Sequence, residues 1–135
     1  MWMAPSMAMF RASRGVCLLG CQSLWEGVDF PGDALKLLVI AKLPFPNPSD
    51  PLVAGIANEM KARNENTFKD FFVPEAYMEM RQGLGRLLRT EEDSGKVLIL
   101  DNRIVKEAYG KTFARIWDFK HKQANSVVDI KNFVK

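Results

Sequence analysis

Three short apolar runs constrain the fold of this chain more than any other feature of its sequence. They are rich in Val, Leu and Ile, they lack alternation with polar residues, and each is followed by polar or turn-forming residues. The runs are GVCLLG at 15–20, LKLLVIA at 35–41 and KVLIL at 96–100. Runs of this kind are typical of strands that are buried on both faces of a parallel sheet. We therefore predict an α/β fold with a short parallel sheet flanked by helices.

Three helices are predicted between and after the last two runs. The first begins at Ser49 or Asp50, either of which can cap it, with Pro51 at the first helical position. The second extends from about residue 74 to 89 and the third from 104 to about 119, whereas 63–74 is predicted to be a loop. The side chains expected to reach the core from the first helix and this loop are Leu52, Val53, Ile56, Met60, Phe68, Phe71 and Phe72.

The second helix carries glycines at positions 83 and 85, and each costs a helix about 1 kcal/mol relative to alanine. At about 100° per residue, Gln82, Arg86 and Arg89 share one side of this helix. Paired guanidiniums suit a phosphoryl group, and the glycines would let a ligand or another backbone approach. The alternative is a solvated basic face, which the helix taken alone favours. The core face on the opposite side is predicted to comprise Tyr77, Met80, Leu84, Leu87 and Leu88.

Ligands of parallel α/β sheets bind beyond the carboxyl ends of the strands. Functional residues are therefore expected in the loops at 21–33, 42–50 and 101–103. The first of these loops contains SLWEGVDFPG, in which Glu26 and Asp29 stand on either side of Gly27. Such carboxylates can lie near a ribose hydroxyl or order an arginine. The alternative is a tight turn with solvated acids.

Together these segments resemble the DinG/XPD-like superfamily 2 DNA helicases. SLWEGVDFPG at 23–32 is similar to motif V of that family, and QGLGRLLR at 82–89 is similar to its motif VI. The segments LPFPNPSDP, FFVPEAYMEMRQG and VLILDNRI also resemble the DinG-type pattern, and the last contains an Asp-x-Arg at 101–103. The resemblance is colinear and covers about residues 9 to 119.

The resemblance implies the C-terminal part of a second RecA-like motor domain, with ATP bound in the cleft between two such domains. Arg86 and Arg89 would then be arginine fingers that reach the γ-phosphate of ATP held by the first domain. Gln82 would couple the nucleotide to the motif VI helix. An arginine supplied across an interface stabilises the charge that develops on a transferred phosphoryl group.

The motif V segment would connect the nucleotide to the DNA by the same resemblance. Glu26, Gly27 and Asp29 would lie at the nucleotide cleft, whereas Ser23 and Trp25 would lie at the DNA. The implied partners are ATP, single-stranded DNA and an N-terminal helicase domain in cis or in trans, and the implied process is DNA repair. ATP and Mg²⁺ would be held mainly by that first domain, and any iron–sulfur cluster would belong to it.

The sequence lacks the elements that bind ATP phosphates and magnesium in such motors. It has no G-x-x-x-x-G-K-[ST], and the YGKT at 109–112 is a decoy because Val105 stands where the first glycine belongs. No D-E-A-H-like run is present. We expect residues 1–8 to be a disordered or artificial start, 9–119 to be the helicase segment and 120–135 to be a basic tail. The chain would be a piece of a helicase, from a truncated gene, a dissected domain or a split gene, and inactive alone.

Charge and cysteine content add weaker indications. From residue 103 onwards there are eight Lys and Arg against three Asp and Glu, a local net charge of +5. This fits nucleic-acid contact or a solvated helix and tail equally well. Cys17 and Cys21 are expected to be buried reduced thiols in a cytoplasmic protein, with no metal site and no membrane span. Two rival functions remain open: a non-catalytic nucleotide- or nucleic-acid-binding module, and an inactive remnant.

Overall fold

The part of the chain that the structure, a computed structural model, describes contains two β-strands and five α-helices. Their bounds are β1 (Leu37–Ile40), α1 (Pro51–Ala62), α2 (Val73–Leu87), β2 (Lys96–Ile99), α3 (Arg103–Lys106), α4 (Gly110–Ala114) and α5 (Val127–Val134). The described residues are 8–10, 12–13, 15–20, 35–87, 95–115 and 123–134, with the side chains of Arg86, Leu87 and Ala114 excepted. Most of the predicted opening segment, 1–8, lies outside them.

The two strands form a parallel pair, as the sequence predicts. Leu37 lies opposite Lys96 and Ile40 lies opposite Ile99. The chain between them contains α1 and α2, so the connection is a helical crossover of the kind that parallel strands require. The prediction of a short parallel sheet flanked by helices is therefore confirmed, and both strands end at the same edge of the sheet.

The third predicted strand, at 15–20, is wrong. Its backbone has no regular structure, and the side chain of Leu19 is 89% exposed. A strand needs a hydrogen-bonded neighbour, and within the described residues β1 and β2 pair with each other. Cys17 is exposed as well, which corrects the expectation of a buried thiol, and Cys21 lies outside the described residues.

The core lies between the sheet and one face of α2. Met80 is fully buried and Leu84 is 3% exposed, which confirms both as members of the predicted core face. Tyr77 packs against the same core while remaining partly exposed. The buried cluster comprises Ile40, Leu43, Val73, Ala76, Met80, Leu84 and Phe113. These contacts hold α2 against the core, and the opposite face of the helix is exposed to solvent.

Helix α1 begins as predicted, with Pro51 in its first turn. The cap is Asp50 and not Ser49, because the Asp50 carboxylate accepts hydrogen bonds from the N–H groups of Leu52 and Val53 at 2.9 and 3.3 Å. Met60 is buried, whereas Leu52 is 72% exposed, so its predicted place in the core is wrong. The buried residues of α1 are Ala57 and Met60, both in its second half.

The segment 63–74 is more regular than the predicted loop. Residues Phe68–Phe72 form a π-helical turn that continues directly into α2, and the Val73 N–H donates to the carbonyl of Phe68, five residues back. Phe68 remains 46% exposed, and Phe71 and Phe72 are partly buried against each other. The expected plug of three phenylalanines is therefore incomplete.

The predicted helix at 104–119 is two short helices, α3 and α4, separated by an extended Glu107. Gly110 explains the break, because a Cβ at that position would overlap the carbonyl of Ile104. Residues 116–122 lie outside the described residues. The predicted basic tail, 120–135, contains α5. A reciprocal capping box begins it, in which Ser126 Oγ accepts from Asp129 N–H and the Asp129 carboxylate accepts from Ser126 N–H.

No helix within the described ranges is both long enough and apolar enough to cross a membrane.

Candidate functional site

The carboxyl ends of β1 and β2 place two of the three predicted loops side by side. The N–H of Leu43, in the loop after β1, donates to the Asp101 carboxylate after β2 at 2.9 Å. Asp101 is 8% exposed, so this hydrogen bond is made inside the protein. It fastens the two loops together at the edge of the sheet where α/β proteins bind ligands. Two of the loops in which functional residues were expected, 42–50 and 101–103, thus lie in contact.

Arg103 completes a dense set of hydrogen bonds around this carboxylate. Its Nη2 lies 2.6 Å from Oδ2 of Asp101, its Nε lies 3.0 and 3.1 Å from the two carboxylate oxygens, and its backbone N–H donates to Oδ1 at 3.1 Å. The Arg103 hydrogen bonds lower the pKa of Asp101 to about 2, although burial opposes the shift and the Leu43 N–H supports it. The same hydrogen bonds raise the pKa of Arg103. Asp101 is therefore ionised at neutral pH and holds the guanidinium in a fixed orientation.

An aromatic cluster supports the other side of Arg103. The guanidinium lies over the ring of Phe45, 5.3 Å from its centroid. Phe45 stacks on Phe68 with centroids 5.7 Å apart and meets Tyr109 edge to face at the same distance. Phe113 is fully buried and meets Phe45 edge to face, with ring centroids 6.3 Å apart. Burial also raises the pKa of Tyr109, which stays neutral.

A shallow, open concavity of 440 Å³ lies at this edge. It is lined by Ala41, Lys42, Leu100, Asp101, Asn102 and Arg103. Lys42, Asn102 and Arg103 are exposed, so the donors available to a ligand are two cationic groups and one amide. These groups suit an anion. In the described part of the chain, no group of three or more His, Cys, Asp or Glu side chains could hold a metal ion.

The outer face of α2 offers a second accessible surface. Gln82 and Gly85 are exposed there, whereas Gly83 is buried. A Cβ built on Gly85 would meet no atom within 4 Å, so there is space for another group to approach this face. The two glycines thus differ: Gly83 is enclosed by the fold, and only Gly85 lies at the open surface.

Comparison with known proteins identifies the architecture that carries these two surfaces. The profile of the helicase C-terminal domain family matches residues 4–120. The chain belongs to this family. It is 44% identical over 107 residues to the 3′-5′ exonuclease DinG of Bacillus subtilis, 44% over 98 residues to the ATP-dependent DNA helicase YoaA of Haemophilus influenzae, and 41% over 102 residues to the ATP-dependent helicase DinG of Mycobacterium tuberculosis.

These matches cover 79%, 73% and 76% of this chain, but only 12%, 15% and 15% of the three relatives. The chain therefore corresponds to a short segment of much longer proteins. It is a DinG-like helicase C-terminal region, and its mixed architecture with a two-stranded parallel sheet agrees with part of a RecA-like domain.

The residues predicted from the helicase motifs divide into two groups. In the motif VI helix, Gln82 lies on the exposed face, and the backbone of Arg86 belongs to α2. The side chain of Arg86 and the whole of Arg89 lie outside the described part of the chain. So does the motif V segment, which contains Ser23, Trp25, Glu26, Gly27 and Asp29. The assembly of these residues into one site stays a prediction.

The Asp101–Arg103 pair received no role from the helicase motifs. Its signal was present in the sequence, since an Asp that directly follows an apolar run at the carboxyl edge, with Arg two residues later, can close a local ion pair. The YGKT segment, by contrast, does not follow a strand: α3 separates it from β2, and its Gly110 begins α4. Its geometry is not that of a phosphate-binding loop.

Proposed function

We propose that this chain is the C-terminal part of an ATP-dependent DNA helicase of DinG type. The observation that carries the proposal is the family match over residues 4–120, which spans both helicase-like motifs in order. Relatives named ATP-dependent DNA helicase and ATP-dependent helicase match 73% and 76% of the chain at 44% and 41% identity, and this supports ATP and DNA as its ligands. In the cell it would act in DNA repair, in the cytoplasm.

Within this motor, Arg86 and Arg89 are proposed to be arginine fingers. They would act on the γ-phosphate of an ATP whose phosphates and Mg²⁺ are held by an N-terminal domain in cis or in trans. Support comes from the other side of α2, where Met80 and Leu84 are anchored in the core. An anchored helix can present arginines to a partner without reorganising, and preorganised charge is what stabilises a phosphoryl-transfer transition state.

Gln82 is proposed to help couple the nucleotide to this helix. Its exposure, and the open space at Gly85 one turn further along, leave room for an incoming phosphate or a partner backbone. Glu26, Gly27 and Asp29 would complete the nucleotide side of the cleft. Ser23 and Trp25 would contact the DNA, and any iron–sulfur cluster would belong to the N-terminal part.

A chimera tests the helicase assignment. Residues 4–120 would replace the matching segment of the Haemophilus influenzae relative, which is named an ATP-dependent DNA helicase, and ATP turnover would be measured with and without single-stranded DNA. We expect turnover that DNA stimulates. A folded chimera that binds ATP but shows no stimulation, beside an active parent protein, would contradict the proposal. A chimera with Arg81→Ala serves as the matched control for helix-surface changes, because Arg81 is an exposed arginine of α2 outside the predicted patch.

A further inference from the structure

We propose that Lys42 and Arg103 contact backbone phosphates of single-stranded DNA, one each, at the carboxyl edge of the sheet, and that Asp101 is the positioning residue for the Arg103 contact. The inference deepens the proposed function, on which it rests, by assigning part of the DNA track to residues outside motifs V and VI.

The first support is the placement of the two cations. Lys42 follows β1 and Arg103 follows β2, and both line the same concavity. Lys42 is exposed and forms no ion pair with any described residue. Arg103 uses Nε and Nη2 to bind Asp101, 44% of its side chain remains exposed, and no described residue accepts a hydrogen bond from its Nη1. Two cations at one concave edge favour an anionic ligand.

The second support is the burial of the Asp101 carboxylate, whose oxygens already have hydrogen-bond partners. Its side chain is 5% exposed, and its oxygens are used by Arg103 and the Leu43 N–H. The carboxylate is therefore covered by its own partners, and its oxygens are not available for direct contact with a ligand in the concavity. Instead it fixes the guanidinium, which lowers the entropy that Arg103 would lose on binding.

The third support is the shape and aromatic content of the neighbourhood. The concavity is shallow, as suits a strand that passes across the surface and not an enclosed mononucleotide. Phe45 lies beneath Arg103 and stacks on Phe68, which is 46% exposed. An exposed ring beside a cationic contact is the combination by which proteins bind single strands without sequence preference.

One opposing charge lies close by and provides a test of opposite sign. The Glu107 carboxylate interacts electrostatically with the Arg103 guanidinium and helps to raise its pKa, and Glu107 is exposed. If a phosphate binds at Arg103, the Glu107 carboxylate weakens the binding. Removing this carboxylate should therefore strengthen DNA binding, whereas removing a carboxylate elsewhere, such as Glu59 on α1, should not.

The experiment is a salt titration of the full 135-residue chain with a fluorescent oligothymidine, followed by anisotropy. Each phosphate contact contributes about 0.7 to the slope of log affinity against log salt concentration for single strands. Lys42→Gln and Arg103→Gln should each lower that slope by about 0.7, which corresponds to about a fivefold larger loss of affinity at 0.1 M than at 1 M salt. Glu107→Gln should raise the affinity about twofold. Lys61→Gln and Glu59→Gln, at exposed positions of α1, are the controls and should change neither the slope nor the affinity.

The positioning role has its own measurement. Asp101→Asn should weaken DNA binding, and the double variant Asp101→Asn, Arg103→Gln should be no weaker than Arg103→Gln alone, because Asp101 acts through Arg103. Additive losses would overturn this role. If melting shows that Arg103→Gln fails to fold, the exposed variants Lys42→Gln and Glu107→Gln decide the matter.

The outcomes separate the inference from the function on which it rests. Unchanged slopes in Lys42→Gln and Arg103→Gln, with a wild-type chain that binds DNA, would overturn the inference alone. Absence of any binding by the wild-type chain at low salt would overturn the inference, while the chimera would still test the helicase assignment. Displacement of the oligonucleotide by ATP would also overturn it, because the edge would then bind nucleotide.

Discussion

Replacing Asp101 with asparagine removes the charge that joins the loop after β1 to Arg103 and keeps the shape of the side chain. The folded-state pKa of Asp101 is about 2, against an ordinary 3.8. A difference of this size corresponds to ~2 kcal/mol of stability at neutral pH. Because 44% of the Arg103 side chain is exposed, solvent screening brings the expected contribution down to about 1–2 kcal/mol. We expect Asp101→Asn to lower the free energy of unfolding at pH 7 by this amount.

The effect has a defined dependence on pH. A carboxyl whose pKa is lowered by folding stabilises the folded state above its ordinary pKa, and this stability is lost as the pH falls toward the folded value. The difference between wild type and Asp101→Asn should therefore be constant from pH 7 to about pH 5 and should shrink between about pH 4 and pH 2. Because other carboxylates titrate in both proteins, this difference isolates Asp101.

Urea unfolding followed by circular dichroism, repeated at several pH values, measures the effect. Glu75→Gln is the matched control, since Glu75 is an exposed carboxylate of α2 and should change stability by less than about 0.5 kcal/mol. An Asp101→Asn variant as stable as wild type at pH 7 would refute the reasoning. A stability difference that stays constant down to pH 2 would refute it as well, because the loss would then not depend on the charge.

Three further predictions concern the fold and the isolated chain. Gly110→Ala should lower the free energy of unfolding by about 2 kcal/mol or more, because the new methyl group meets the Ile104 carbonyl, whereas Gly85→Ala should raise it by about 0.5–1 kcal/mol; thermal melts of the pair test this. Asp50→Ala should cost about 1 kcal/mol through loss of the α1 cap, and Ser49→Ala close to nothing, again by melting. The 135-residue chain alone, with or without DNA, should not hydrolyse ATP, and turnover that persists through chromatography would show a site that the motifs missed.

Local chemistry explains which elements could be predicted from the sequence. The Asp50–Pro51 start of α1 depends on neighbouring residues only, and so does the core face of α2 at Met80 and Leu84. The strands β1 and β2 were predictable because each apolar run has a parallel neighbour in the chain. Residues 15–20 have the same composition, but no strand beside them within the described residues. An apolar run predicts a strand only where a pairing edge exists, and the run itself carries no information about that edge.

The other differences between the predicted and the observed structure come from features that hydrophobic periodicity does not indicate. The break between α3 and α4 depends on the close approach of Gly110 to Ile104, which no periodicity indicates. The start of α5 was predictable from its Ser126-x-x-Asp129 capping box, although the segment was predicted only as a basic tail. At the candidate site, the motifs directed attention to Arg86 and Arg89, while the Asp101–Arg103 pair became visible through its hydrogen bonds.

We propose that Arg86 and Arg89 act on ATP bound by another domain. Single-turnover ATP hydrolysis in the chimera tests it most directly, with Arg86→Ala and Arg89→Ala compared with Arg81→Ala. We predict that either patch variant lowers the DNA-stimulated rate by a factor on the order of 10³, with much smaller effects on ATP binding and on melting temperature. Lysine at these positions should not restore the rate fully, because it lacks the planar fork. Normal single-turnover rates in both alanine variants would contradict the account and leave the patch as a solvated face.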